Sequence, residues 1–295
     1  HGPLAELVTV RDWLRYAVTR FNRAGCFFGH GLTDAYDEAV YLILHTLSLP
    51  LDRLEPFLDA CIPGDEREEI LEVIVQRATD RLPAAYITGE AWLGDFRFKV
   101  DPRVIIPRSY FAELLEDGFS PWIQDPETVT AAMDMCTGSG CLAILMAHAF
   151  PNAEIVAVDI SQDALDVAAE NIAAYGLEDR IKLVLSDGFA AVPEQGFDFI
   201  LSNPPYVTRE SMESLPAEYL HEPGLALGSG EDGLDLVRKL LADAPRFLKP
   251  DGVLAIEVGH NRDIVEEAFP TLAPTWVSAP GGEDKIFVLQ GGQLL

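Results

Sequence analysis

The sequence predicts an α/β protein in two parts: a small all-α N-terminal domain, then a β-hairpin linker into a doubly wound parallel sheet. Three observations lead there. Residues 9–80 place apolar side chains at helical spacing. Residues 83–108 break that pattern with glycines, prolines and alternating aromatics. From Val129 onward, short apolar runs rich in β-formers alternate with helical patterns, the texture of βαβ units. A chain of 295 residues is too long for one ordinary core and suits one large domain with a small one. The expected division is 1–82 helical, 83–108 linker and 109–295 sheet domain.

In chain order, Trp13, Leu14, Ala17, Val18 and Phe21 form one apolar stripe of a first helix. Phe27-Phe28-Gly29-His30-Gly31 is a glycine-broken loop in which His30 reads as a turn or packing residue. Asp34 caps a helix running to about Leu47, with Asp37 and Glu38 in its first turn and Pro50 beyond its end. A short helix is predicted over Asp52–Leu58, and another from Asp65 to Asp80 with Ile70, Leu71, Ile74 and Val75 facing inward. Glu90–Val100 reads as a hairpin turning at Gly94-Asp95, with Trp92, Phe96, Phe98 and Val100 on one side. A helix over 110–117 follows. Strands are predicted over 129–135, 154–159, 181–186, 197–202, 252–258 and 284–289, with a further edge strand at 275–278.

Composition narrows the function classes. No apolar run approaches the roughly 18 residues needed to span a membrane, and no targeting segment is visible, so a cytoplasmic protein is expected. Cys26, Cys61, Cys136 and Cys141 lack metal-ligand or disulfide spacing, which points to free thiols and no metal site. Forty-eight acidic against 21 basic residues leave a net charge of −27. Such a surface repels phosphate backbones, so no extended nucleic-acid footprint is expected. It attracts a basic protein, or simply keeps the chain soluble.

The chemistry concentrates where strands end. Phe197–Leu201 is a buried-strand pattern that stops in Asn203-Pro204-Pro205-Tyr206. Two prolines stiffen the chain at the carboxyl edge of the sheet, where open α/β proteins bind ligands. The Asn203 side-chain oxygen and the Pro204 carbonyl can accept both hydrogens of a planar –NH2 group, and the Tyr206 ring offers it a flat face. Drawing on both hydrogens returns electron density to a delocalised nitrogen. The group then needs an electrophile from the other side.

Upstream, the first strand runs into Cys136-Thr137-Gly138-Ser139-Gly140, whose glycines let backbone N–H groups approach a ligand. The third Rossmann glycine is absent, with Leu142 and Ala143 in its place, which departs from a dinucleotide cradle. Asp159, with Ile160 beside it, ends the next strand about twenty residues on, where an acid accepts from ribose hydroxyls. Asp187-Gly188-Phe189 ends the third strand and suits an adenine amino group and ring. Singly, Asp159 could serve a helix cap and Asp187 a turn. Four strand ends in register address one nucleoside and one amine.

This pattern resembles the Rossmann-like class I S-adenosylmethionine-dependent methyltransferases. Asn-Pro-Pro-Tyr points to the branch acting on planar amino nitrogens. The helical N-terminal domain, the hairpin, Pro83-x-x-Tyr86-Ile87-x-Gly89 and Pro107-Arg108 resemble the protein-glutamine N5-methyltransferases over nearly the whole chain. Release-factor enzymes usually read Pro-Arg-Pro-Glu-Thr-Glu after the hairpin. Here Pro107-Arg108-Ser109-Tyr110, Glu222-Pro223, Gly228-Ser229-Gly230-Glu231-Asp232-Gly233 and Glu257-Val258-Gly259 look like the subfamily that methylates a glutamine of large-subunit ribosomal protein three, a basic protein.

The resemblance implies S-adenosylmethionine held by Cys136–Gly140, Asp159 and Ile160, and Asp187–Phe189. Arg108 either pairs with its carboxylate or forms a structural salt bridge. The glutamine amide would lie beside Asn203–Tyr206. A release-factor substrate, an adenine N6 methyltransferase and a non-catalytic cofactor-binding assembly factor stay open as alternatives. No physical role for Glu222-Pro223 emerges from the sequence.

Overall fold

The computed structural model describes residues 2–279 and 282–294; His1 and Leu295, the outer ends of the expected domains, lie outside them. The chain divides into two compact units, residues 2–91 with 216–221, and residues 92–215 with the remainder from Glu222 onward. The division falls inside the first hairpin strand. The segment Pro216–His221 groups with the first unit despite its place in the sequence.

The first unit is helical: α1 (Pro3–Glu6), α2 (Val10–Ala24), α3 (Ala35–Thr46), α4 (Gly64–Ala78) and α5 (Ala84–Thr88). Thr9 caps α2 in a capping box with Asp12, and Asp34 caps α3 through Tyr36 and Asp37 N–H groups. Trp13, Ala17 and Phe21 pack against Leu42, Ile43, Ile70 and Ile74 in its core. Three expectations change. Asp52–Leu58 is only a single 3₁₀ turn, Glu55–Phe57, around Pro56. Val75 faces out, because Ile70, Ile74 and Ala78 at i, i+4, i+8 already define the buried stripe. Residues 84–88 form α5, which ends at Gly89 with φ +74°.

The hairpin pairs β1 (Glu90–Leu93) with β2 (Phe96–Lys99). Its inward side is Ala91, Leu93, Phe98 and Val100; Trp92 lies on the outer face because neighbouring strand residues alternate. Then follow α6 (Phe111–Glu116), β3 (Ala131–Met135), α7 (Cys141–Ala149), β4 (Glu154–Asp159), α8 (Gln162–Ala174), β5 (Ile181–Leu185) and β6 (Phe197–Ser202). The chain continues through α9 (Arg209–Met212), α10 (Asp235–Asp243), β7 (Leu248–Glu257), α11 (Arg262–Ala268), β8 (Thr275–Ala279) and β9 (Gly282–Gln290). Among the described residues the main sheet has order β5-β4-β3-β6-β7-β9-β8.

The first five of these strands are parallel, but β9 runs antiparallel to both β7 and β8, so the sheet is not parallel throughout. The chain returns from the edge strand β8 and inserts β9 beside β7. Alternation then splits the core. Ala132, Phe199 and Leu201 pack on one face with α7, while Met133, Ile200 and Leu254 pack on the other with α10. Reversal of strand order between β4 and β6, on either side of β3, opens the crevice where such sheets hold ligands.

Candidate active site

At that crevice lies a cavity of about 270 Å³, lined by Cys136, Gly138, Asp159, Ile160, Asp187, Gly188, Asn203 and Pro205 among others. Eight of the sequence-predicted residues therefore meet in one place. Register explains it: Met135 pairs with Val158 and with Ser202, and Asp159 with Leu185, so the strands end level. The Ser202 hydroxyl donates to the Met135 carbonyl at 2.7 Å, locking β6 to β3 one residue before Asn203.

Within the glycine loop Cys136 and Gly138 line the cavity, while Thr137, Ser139 and Gly140 build the loop without lining it. Cys136 adopts φ +70°, a region that disfavours side chains, while the Cys136 and Thr137 N–H groups both donate to the Val158 carbonyl at 2.9 Å. Thr137 Oγ1 donates to the buried Asp134 carboxylate at 2.7 Å. Burial pushes Asp134 up to about 7, and among the described residues its Oδ1 has no hydrogen-bond partner. Gly140 faces Ala168, where an added Cβ would come within 3.1 Å, so this glycine sets the approach of α8. Asn171 on α8 donates to the Ser139 and Lys99 carbonyls, binding the loop and β2 to the same helix. Burial pushes the Cys136 thiol up and Cys141 up to about 12; neither is a ready nucleophile.

Asp159 accepts from Gly138 N–H at 2.9 Å and Ser161 N–H at 3.0 Å. Burial raises it, partly offset by those amides. Ser161, not Asp159, caps α8. Asp187 is engaged by Lys239 Nζ at 3.1 and 3.2 Å. Four other predicted residues, Pro204, Tyr206, Phe189 and Arg108, do not line the cavity. Phe189 stacks on Phe247 at 4.5 Å within the core, because the turn at Gly188 (φ +58°) sends its ring under the sheet edge. Arg108 does not line the cavity; its guanidinium makes two 2.7 Å bonds to Glu222. Glu222 thereby acquires the role that sequence reasoning could not supply. Sequence reasoning also missed the wall from Arg103–Ile105 and from Pro223, Leu225, Ala226 and Gly228–Gly230. These contacts join residues far apart in the chain, and only the glycine-rich run hinted at them.

The Asn203–Tyr206 turn is itself seated. Asn203 Nδ2 donates to the Arg108 carbonyl at 3.3 Å. Asn261 Nδ2 donates to the Tyr206 carbonyl at 2.6 Å. A Cβ at Gly259 would fall 2.6 Å from the Tyr206 ring, and one at Gly233 would fall 2.2 Å from its carbonyl oxygen. Two of the glycines in the Asp232-Gly233 and Val258-Gly259 stretches thus exist to admit Tyr206.

Comparison with known proteins places this arrangement. The family described as "Methyltransferase small domain" matches residues 122–230. A ribosomal protein uL3 glutamine methyltransferase from Neisseria meningitidis serogroup A is 59% identical over 98% of this chain and 95% of its own length. The chain belongs to the ribosomal protein uL3 glutamine methyltransferase family. Relatives of the same name from Bordetella pertussis (56% identity, 98% of this chain, 97% of theirs) and Bradyrhizobium diazoefficiens (45%, 98% and 92%) agree. They do not favour the release-factor or nucleic-acid alternatives. In structure, the hMettl16 catalytic domain, solved in complex with MAT2A 3′UTR hairpin 6, matches with a TM-score of 0.50 at 15% identity, over 76% of this chain and 80% of that one. It supports the Rossmann-like class I methyltransferase fold of this family member. Among the described residues there is no helix long and apolar enough to cross a membrane.

Proposed function

We propose that this enzyme transfers a methyl group from S-adenosylmethionine to the side-chain amide nitrogen of a glutamine in ribosomal protein uL3, in the cytoplasm. One observation carries the reading. Asn203 lines the cavity while its Nδ2 is occupied by the Arg108 carbonyl, which leaves the Oδ1 end of that amide as acceptor. The residues present fit the cofactor: Gly138, open around its Cα, would admit the methionine end, and Asp159 and Asp187 would accept from the ribose hydroxyls and the adenine amine. Bound there, S-adenosylmethionine supplies an electrophilic methyl on a positively charged sulfur. Transfer would form an N–C bond on the glutamine nitrogen as the S–C bond breaks, with the nitrogen's proton passing to solvent. Asn203 Oδ1 and the Pro204 carbonyl accept the amide hydrogens and aim the nitrogen; no general base is required, since positioning alone supplies roughly 7–11 kcal/mol. The net charge of −27 favours a basic protein substrate and disfavours a nucleic acid. We assign substrate recognition to the helical first unit.

The test is incubation with methyl-labelled S-adenosylmethionine and, separately, uL3, a release factor and duplex DNA. Label on a glutamine of uL3 alone is expected. Asn203→Ala should lower turnover by roughly 10²–10³, the size of effect seen when one pre-organised hydrogen-bonding group is removed, with little change in cofactor binding. Near-normal turnover in that variant would remove the clamp from the mechanism.

A further inference from the structure

A carboxamide serves as a clamp only with its oxygen toward the substrate. Rotated by half a turn, Asn203 would set an –NH2 donor against the –NH2 it has to hold, and the two ends of the group are nearly equal in size. Something must choose between them. The Arg108 carbonyl, 3.3 Å from Asn203 Nδ2, accepts and cannot donate, so it selects the productive orientation.

That carbonyl is held from both sides. Arg108 Nη1 and Nη2 each bond Glu222 at 2.7 Å, and Nη1 also reaches the Ile106 carbonyl at 3.1 Å. The Glu222 side chain is fully buried and the Arg108 side chain 27% exposed, and the two-point contact between guanidinium and carboxylate fixes the geometry of the pair. On the following residues, the Ser109 hydroxyl donates to Glu257 at 2.6 Å and the Tyr110 N–H at 3.1 Å. Glu257 ends β7, the strand beside β6. The backbone around Arg108 is thus tied to the sheet whose edge carries Asn203.

We infer that Arg108 and Glu222 are positioning residues that fix the polarity of the Asn203 amide, through the Arg108 backbone carbonyl. The inference rests on the clamp reading of Asn203. It assigns Arg108 a task other than holding the cofactor carboxylate.

The experiment is a double-mutant cycle on the full chain with uL3 and S-adenosylmethionine, under single-turnover conditions so that slow variants are measured. Glu222→Gln, which keeps volume, and Arg108→Lys, which keeps charge but loses the fork, are each made alone and with Asn203→Ala. Thermal unfolding is followed in parallel, so that two variants of different severity separate misfolding from misplacement. Either single change should lower the methyl-transfer rate about tenfold, with the KM for S-adenosylmethionine within about twofold of the parent. In the Asn203→Ala background the same change should move the rate by less than about twofold, because nothing remains to orient. An equal loss in both backgrounds would overturn the inference while leaving the clamp intact. So would a large rise in the cofactor KM at unchanged rate. Normal turnover by Asn203→Ala would remove the clamp and the inference together.

Discussion

The acids buried in the two units meet different donors. In the first, Glu218 is enclosed yet accepts from Phe27 N–H at 2.9 Å, Arg77 at 2.9 Å and Arg81 at 2.8 and 3.1 Å. Burial pushes its carboxyl up, but these donors together hold it below the usual range. Glu38 has Arg77 alone, shared with Glu218, and there burial wins and the carboxyl is raised. In the second unit, Asp134 accepts from the Thr137 hydroxyl and Glu257 from the Ser109 hydroxyl and the Tyr110 N–H, with a weaker pull from the Arg108 charge, and burial pushes each up to about 7. Burial raises every one of these acids; the amide and guanidinium donors around Glu218 together reverse it, and those around Glu38, Asp134 and Glu257 do not.

The sharpest way to break the comparison is to empty the first cluster. Arg77→Met leaves Glu38 without its guanidinium and Glu218 with one fewer, in a place where Arg77 is 1% exposed. Removing one partner of a buried pair costs roughly 3–5 kcal/mol. A large drop in the unfolding midpoint is expected, followed by circular dichroism; an unchanged midpoint would mean that these charges contribute nothing net.

A smaller effect separates the second pair by pH. Unfolded, Asp134 and Glu257 titrate near 4; folded, each titrates at about 7. The folded chain therefore holds extra protons between those values. The stability they contribute is complete below about pH 4 and is lost as pH rises through about 7. Asp134→Asn with Glu257→Gln should flatten the decline of the unfolding midpoint between about pH 5 and pH 8 by several degrees. Parallel curves for parent and variant would show that both carboxylates ionise without penalty.

The smallest expected effect is at the surface. Arg11 and Asp59 pair at 2.9 Å with side chains 58% and 80% exposed. Arg11→Ala should leave the unfolding midpoint within about a degree, since exposed pairs contribute little. A clear drop would mean that solvent screens this unit less than its exposure implies.

Much of this was legible in the sequence, and for identifiable reasons. Strand ends can be read where an apolar run meets Asp159, Asp187 or Asn203, because period and punctuation are local. Helix caps at Thr9 and Asp34 are local too, and Asp34 was read as one. Direction was harder. Phe189 follows an acid at a strand end just as a ring-covering residue would, yet Gly188 turns it into the core against Phe247. Val75 and Trp92 were misplaced by a single step of their repeats. Arg108 and Glu222 stand 114 positions apart, and no periodicity in one chain links them. The strand-end residues that line the cavity were visible; those that seat them were not.

The membership of Pro216–His221 in the first unit bears on how the chain is made. Arg77 is synthesised 141 residues before Glu218. At about 5–20 residues per second, a ribosome leaves that arginine without its second carboxylate for roughly 7–28 s. The helical unit thus emerges first but is completed late, after β6 and Asn203 have been made. A chain cut after residue 91 would keep the helices and lack the acid that draws Arg77 and Arg81 together.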